Sequence, residues 1–193
     1  DSSCIYYGCM DPTAYNYDPS ANAPDSSCVY AHNVILQQGW SLVSTYRQPV
    51  NSSIEEMFSQ THGYHELVVK NGLGQVYYPN YGVNQINNVV PGEGFQVRIV
   101  YWFSNPVVGE LIIPEQTPIA LPQGWGIVGY PRTSNGQIDS MLTTILPNVT
   151  IIKDDQGDVY WTQFNLNQID SLETGEGYQI KMSQSDTLYY PAN

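Results

Sequence analysis

Alternating apolar and polar positions recur along most of the chain and predict short β-strands. In the segment 95–99 every second residue is apolar, so one face should be buried while Gln96 and Arg98 face solvent. The segment 178–182 has the same alternation. Apolar residues at helical spacing occur in short stretches such as 138–145. The pattern therefore predicts an α+β fold that is predominantly β.

The pattern also repeats, because six blocks of sequence occur twice in the same order. The matched blocks are 36–43 with 121–128, 68–70 with 151–153, 75–78 with 158–161, 84–86 with 167–169, 92–97 with 175–180 and 111–114 with 188–191. We therefore expect two tandem homologous β-α-β-β-β-β units, at 34–114 and 119–191. They should pack together, since a unit of about 75 residues is small for a hydrophobic core of its own.

The first 30 residues form a separate loop-rich region that contains all the cysteines, Cys4, Cys9 and Cys28. The motif Asp-Ser-Ser-Cys occurs at 1–4 and again at 25–28, which indicates the end of a tandem array of repeats. A unit from Cys9 to Cys28 closes on itself, whereas a Cys4–Cys9 bridge would leave Cys28 without a partner. The sequence predicts a small repeat at 1–30 with a Cys9–Cys28 disulfide, an unpaired Cys4 and an oxidising, extracellular compartment.

Five oxygen-bearing side chains lie between the two bridged cysteines. They are Asp11, Asn16, Asp18, Asn22 and Asp25. Hard oxygen donors on a short loop suit calcium, the one cofactor that the sequence suggests. Alternatively, these side chains stabilise turns by accepting hydrogen bonds from their own backbone.

Composition limits the possible partners. The net charge is −12 with 6 Lys and Arg residues, so neither nucleic acid nor an anionic membrane surface is an expected partner. The sequence has no apolar run long enough to cross a bilayer. Charged residues make up 12%, and 16 Tyr residues contribute to a neutral polar surface. An acidic chain with few basic residues suits divalent cations or neutral glycans.

Aromatic residues are the candidate binding groups. The segment 101–106 has no counterpart in the second copy, and its aromatics predict either a recognition loop or an edge that packs on the neighbouring unit. Trp40 and Trp125 of the Gly-Trp blocks are expected in the core. The candidate sugar-stacking residues are Tyr77, Tyr78, Tyr101, Trp102, Tyr160 and Trp161.

The sequence contains no recognisable catalytic motif. His62 and His65 could contact a metal ion, but the second copy has no matching histidines. Glu93 and Glu176 occupy matched positions between glycines, where a role in a turn is expected. No motif supplies a nucleophile, a base and an orienting group together, so we expect the chain not to be an enzyme.

The segment GCMDPTAYNYDPSANAPDSSC, at 8–28, resembles a Cys-rich repeat with the pattern GCTDPxAxNYxPxAxxDDGSC. That repeat occurs in tandem in large secreted and surface proteins of marine Bacteroidetes and in some aquatic viruses. The chain departs from it at Met10 and Ser26. The duplicated units resemble modules of secreted Bacteroidetes proteins, many of them exported by type IX secretion. The resemblance implies an extracellular, non-catalytic module beside adhesive or enzymatic partners.

Two kinds of glycosylation motif occur. Asn51 and Asn148 begin Asn-x-Ser/Thr sequences. Ser140, Ser171 and Thr187 follow Asp and precede Met or Leu, which is similar to an O-glycosylation motif of Bacteroidetes.

The function favoured by the sequence is a structural or adhesive segment of a large cell-surface or secreted protein, with the capacity to form filaments. Its expected partners are other copies or neighbouring domains of the same protein, and glycans. One alternative is a carbohydrate-binding module appended to a secreted enzyme. A more remote alternative is a viral fibre or capsid decoration protein.

Overall fold

The computed structural model describes residues 4–61 and 66–193, and the fold is mostly β, with several sheets. The predicted predominantly β class is confirmed. The α-helices of the described residues are single turns, and the other helical segments are 3-10 turns. The helices are α1 (Ile54–Met57), α2 (Ile138–Met141), η1 (Ser59–Thr61), η2 (Pro79–Tyr81), η3 (Pro114–Gln116), η4 (Leu146–Asn148) and η5 (Thr162–Phe164).

The N-terminal segment is held by a disulfide and by turns, because few of its side chains are buried. Its strands β1 (Tyr7–Gly8) and β2 (Ala23–Pro24) pair in parallel. A disulfide joins Cys9 to Cys28, as predicted, and Cys4 is free and exposed.

Tyr30 attaches this segment to the rest of the chain. Its hydroxyl donates to Asp11 Oδ2 at 2.8 Å, and its carbonyl accepts from the Gly109 amide at 3.2 Å. The guanidinium carbon of Arg47 lies 5.6 Å from the centre of the Tyr30 ring. One aromatic residue therefore contacts both the disulfide-bonded segment and the sheets that follow.

We call strands β3 to β10 the first half of the sheet region. In its five-stranded sheet the order is β4-β9-β6-β7-β8, and a smaller sheet has the order β3-β10-β5. The strands are β3 (Ala31–Leu36), β4 (Gly39–Val43), β5 (Arg47–Pro49), β6 (Val68–Asn71), β7 (Val76–Tyr78), β8 (Val83–Asn84), β9 (Phe95–Ile99) and β10 (Phe103–Leu111).

Strands β11 to β19 form the second half. Its five-stranded sheet has the order β12-β18-β14-β15-β16, so the Gly-Trp strand again lies at one edge beside the strand that follows Gly-Glu-Gly. Two-stranded sheets are formed by β11 with β19 and by β13 with β17. The strands are β11 (Ile119–Leu121), β12 (Gly124–Gly129), β13 (Gly136–Gln137), β14 (Val149–Lys153), β15 (Val159–Trp161), β16 (Leu166–Asn167), β17 (Ser171–Leu172), β18 (Gly177–Met182) and β19 (Asp186–Leu188).

Each half has its own hydrophobic core, and the predicted alternation decides which side chains enter it. Phe95, Val97 and Ile99 of β9 are almost fully buried, whereas Gln96 and Arg98 are half-exposed. The apolar residues of the segment 138–145 are also buried, although the helix itself ends after one turn. The core of each half therefore lies between one face of its large sheet and a short helical turn.

The two halves meet at their Gly-Trp edge strands, β4 and β12. Val43 of β4 forms an antiparallel bridge with Glu176, and Val128 of β12 forms one with Glu93. Each Gly-Glu-Gly turn therefore pairs with the edge strand of the opposite half.

This pairing requires glycine because the two backbones approach closely. A Cβ atom on Gly94 would lie 2.6 Å from the Val128 carbonyl, and one on Gly177 would lie 2.8 Å from the Val43 oxygen. Both distances are shorter than side chains tolerate. Glycine at these two positions therefore permits the close approach of the two backbones.

The strand register shows that 101–106 is not an insertion. Phe103 at the start of β10 lies opposite Leu36, just as Asp186 at the start of β19 lies opposite Leu121. Leu36 and Leu121 are matched in the sequence repeat, so both halves have a turn at this point. The prediction that 101–106 has no counterpart was wrong. The first half is longer because β10 has nine residues and β19 has three, so its extra residues lie toward the end of β10.

Candidate functional site

Strand β15 ends in an aromatic corner formed by Trp161 and Phe164. Trp161 precedes the 3-10 turn η5, Phe164 is its last residue, and Asn165 ends the turn in the left-handed conformation with φ of 50°. The two ring centres lie 4.6 Å apart with their planes at 79°. Edge-to-face packing of this kind stabilises aromatic pairs. Phe164 stays 63% exposed, so the corner is displayed at the surface.

A cleft of about 490 Å³ lies beside this corner. Its lining combines the Trp161 ring with hydroxyl, amide and carboxylate groups, the combination typical of sites for small polar ligands. The lining residues are Asp139, Thr143, Leu146, Pro147, Tyr160, Trp161, Thr162, Asn165, Leu166 and Asn167.

Tyr160 orients the carboxylate of this cleft. Its hydroxyl donates a short hydrogen bond to Asp139 Oδ1. Burial, together with the neighbouring Asp139, raises the pKa of Tyr160 to about 12, so the hydroxyl keeps its proton at neutral pH. Asp139 itself is exposed at the first turn of α2.

The first half has a related aromatic corner. The rings of Tyr78 and Tyr81 lie 4.6 Å apart, and Gly82 takes the left-handed position after η2 with φ of 66°. Here Asn84 Nδ2 donates to Glu55 Oε1 at 3.1 Å. The amide and the carboxylate of this corner therefore bind each other.

Two of the six predicted stacking residues are buried and cannot present a ring face to a ligand. Tyr77 is 2% exposed and Tyr160 is 8% exposed, because each lies on the core face of its strand. Burial also raises the pKa of Tyr77 to about 12. Their neighbours Tyr78 and Trp161 point the other way and are half-exposed.

Tyr101 and Trp102 lie in the turn between β9 and β10. They are 66% and 59% exposed. They are therefore accessible, although the turn belongs to the sheet and not to a separate recognition loop.

The expected core position of Trp40 and Trp125 is wrong, since they are 41% and 49% exposed. Trp40 lies opposite Arg98 on the outer face of its sheet. Lys70 Nζ is 4.7 Å from the centre of the Trp40 ring, and Lys153 Nζ is 5.5 Å from that of Trp125. Stacked lysines cover part of each indole by cation–π contact.

The two matched glutamates differ in their surroundings. Glu93 Oε1 accepts from Asn71 Nδ2 at 2.9 Å, and its Oε2 accepts from the Val90 amide at 3.1 Å. Burial nevertheless raises the pKa of Glu93. Burial raises the pKa of Glu176 further, to about 7, and the nearby carboxylate of Asp155 adds to this rise. Both glutamates lie in the Gly-Glu-Gly turns that contact the opposite half. The sequence predicted a role in a turn for them.

The predicted calcium ligands accept hydrogen bonds from backbone amides of the N-terminal segment. Asp11 Oδ1 accepts from the Thr13 amide at 2.9 Å, and Asp18 Oδ1 accepts from the Ser20 amide at 2.8 Å. The hydrogen bonds from Thr13 lower the pKa of Asp11. Asp25 Oδ1 likewise accepts from the Ser27 amide, whereas Asn16 and Asn22 accept from the more distant amides of Val29 and Tyr6. The geometry favours the turn interpretation for the three aspartates, and calcium binding stays a prediction.

The glycosylation candidates differ in accessibility. Asn51 and Ser140 are exposed. Ser171 Oγ accepts from Gln137 at 3.0 Å, and Thr187 is half-buried in β19. Asn148 Nδ2 donates to Asp186 at 2.7 Å. Asn51 and Ser140 are therefore the candidates that a modifying enzyme could reach without disturbing other contacts.

Sequence reasoning did not identify Asp139, Phe164, Asn165 or Asn167. The available signal was a shared spacing, since an aromatic residue, a second aromatic three positions later and an Asn after three more occur in both copies. That spacing places the first aromatic at the end of one strand, the second in the 3-10 turn that follows and the Asn in the next strand.

His62 and His65 lie outside the described residues. Within 4–61 and 66–193, no group of three or more His, Cys, Asp and Glu side chains could hold a metal ion. No helix of those residues is long and apolar enough to cross a membrane. Comparison with protein-family models, with curated proteins and with solved structures finds no match for this chain.

Proposed function

We propose that the chain is a non-catalytic, extracellular adhesive and structural segment of a large cell-surface or secreted protein. The observation that carries the proposal is the aromatic corner that each half displays, with Tyr81 73% and Phe164 63% exposed. Side chains of this type dominate the contact energy of protein interfaces. The disulfide suits an oxidising compartment.

We also infer that the two halves are tandem copies of one unit. The sequence blocks and the shared strand order support this inference. The resemblance to modules of secreted Bacteroidetes proteins supports the extracellular assignment. Other copies or neighbouring domains of the same protein are the partners that such an arrangement suits.

A bead assay tests the proposal. Beads that carry the chain should cluster with one another or adhere to plates coated with glycans, and replacing both Tyr81 and Phe164 with Ser should reduce adhesion severalfold. Leu73→Ser is the matched control, because Leu73 is 73% exposed and lies outside both corners. Beads that neither cluster nor adhere would refute the adhesive role.

A further inference from the structure

The cleft beside Trp161 contains hydrogen-bonding groups that the described residues leave unused. Asn167 Oδ1 accepts from the Asp170 amide at 2.8 Å, which leaves its Nδ2 group as a donor. Asp139 Oδ1 is bound by Tyr160, whereas its Oδ2 has no hydrogen bond within the described part of the chain. One amide donor and one carboxylate acceptor therefore stand beside a half-exposed indole.

The first half shows what closes such a site. There Asn84 Nδ2 and Glu55 Oε1 are 3.1 Å apart and satisfy each other. Glu55 corresponds in the repeat to Asp139, which is one methylene shorter and is bound by Tyr160 instead. The difference leaves the second cleft open to a ligand that can replace this internal bond.

The charge of the cleft limits the ligand further. Among the described residues that line it, Asp139 is the only charged one, so an anionic ligand would meet repulsion and no compensating cation. A sugar ring has an apolar face that can pack on an indole, and its hydroxyls both donate to a carboxylate and accept from an amide. A volume of about 490 Å³ lies within the range of small-ligand sites.

We propose that this cleft binds a neutral glycan, with one sugar ring on Trp161 and its hydroxyls bound by Asp139 and Asn167. The inference rests on the proposed adhesive function and names the ligand class of one of its two corners. The corner of the first half, where Glu55 and Asn84 bind each other, is closed to the same ligand.

An array of polysaccharides tests the inference. The probes are laminarin, xylan and galactomannan as neutral glycans, with alginate and polygalacturonate as anionic ones. We expect binding to at least one neutral glycan and none to the anionic pair. Calorimetry on the best binder then gives the affinity of each variant.

Asp139→Glu is the most specific variant, because it keeps the charge and lets the longer side chain reach Asn167, as in the first half. We expect it to weaken binding at least about tenfold, and Trp161→Ala to do the same. Trp125→Ala removes a Trp that is more exposed than Trp161 and lies outside the cleft, and it should leave binding unchanged. Thermal unfolding of each variant checks that the fold is intact.

Three results would overturn the inference: no neutral glycan binds, an anionic glycan binds best, or Asp139→Glu and Trp161→Ala bind like the original chain. If glycan binding is absent while beads carrying the chain still cluster, the glycan site fails and the adhesive function stands. If both assays are negative, both proposals fail.

Discussion

Glu176 is a half-buried titratable residue in the contact between the two halves. Burial raises its pKa to about 7, and the carboxylates of Asp155, Glu173 and Asp154 add to this rise in that order. The unfolded chain ionises this carboxyl near its ordinary value of 4.5. Its contribution to stability is therefore fully present below pH 4.5 and is lost as the pH rises to about 7.

Glu176→Gln should remove this loss. We expect the variant to be more stable than the original chain by on the order of 2 kcal/mol at pH 8, and by less than about 1 kcal/mol at pH 5. Urea denaturation of both proteins at pH 5, 6 and 8 measures the difference.

His32 does not disturb this comparison. Burial, with the nearby Arg47, lowers the pKa of His32 from 6.5 to about 4, so its contribution to stability is lost as the pH falls from 6.5 to 4. That loss occurs equally in both proteins and cancels in their difference. A stability difference that does not change between pH 5 and pH 8 would contradict the assigned role of Glu176.

Single side chains were predictable where alternation alone decides burial. The inward and outward residues of 95–99 follow directly from the sequence. Trp40 was not predictable, because its exposure depends on which residue lies opposite in the next strand. That neighbour is Arg98, which the alternation had already placed on the outer face. The missing information was the strand register, which alternation does not contain.

At the scale of elements, the N-terminal segment depends on its disulfide more than any other part of the chain. The bond from Cys9 to Cys28 spans 19 positions, and closing such a loop contributes about 3 kcal/mol. We expect reduction to open this segment while the sheets remain folded. Limited proteolysis with and without a phosphine reductant, read by mass spectrometry, should show new cleavage before residue 31.

Cys4→Ser is the control for this experiment, because Cys4 is free and the disulfide does not involve it. That variant should match the original chain in both conditions. A reduced chain that resists proteolysis as well as the oxidised one would show that the turns alone hold the segment.

The type and order of elements were easier to predict than their lengths. Hydrophobic spacing over 138–145 predicted a helix, but the α-helix covers Ile138–Met141 and a turn completes the apolar face. Four residues make one helical turn, which is too short to be stable alone. Packing of the apolar face against the sheet therefore determines this conformation, and local sequence cannot supply that information.

At the scale of the whole molecule, close backbone contact joins the two halves. Gly94→Ala should destabilise the protein by about 2 kcal/mol, since the new Cβ would lie 2.6 Å from the Val128 carbonyl. Gly126→Ala is the matched control, because a Cβ there meets no atom within 4 Å. Chemical denaturation of both variants measures the effect.

If Gly94→Ala is as stable as Gly126→Ala, the halves are able to separate or shift without cost, and the contact does not stabilise the fold. If hydrogen exchange shows that Gly94→Ala lowers the stability of the first half alone, the strain lies within one sheet and not at the contact between the halves.

The pairing of the halves was predictable in kind, because two small units in sequence require shared burial. Its geometry was not. The bridges of Val43 with Glu176 and of Val128 with Glu93 connect residues more than 30 positions apart, and no local pattern marks them. The cleft beside Trp161 was likewise hidden, since it depends on Asp139 reaching β15 from a distant turn.

The reciprocal bridges have a further consequence for aggregation. An uncovered edge strand offers free amide and carbonyl groups to which another chain can add a strand. Here the Gly-Trp edge of each half is met by the turn of the other half, and the opposite edges, β8 and β16, are two residues long. Neither end of the large sheets therefore offers a long template for cross-β growth. At high protein concentration we therefore expect the two large sheets not to seed amyloid-like aggregation.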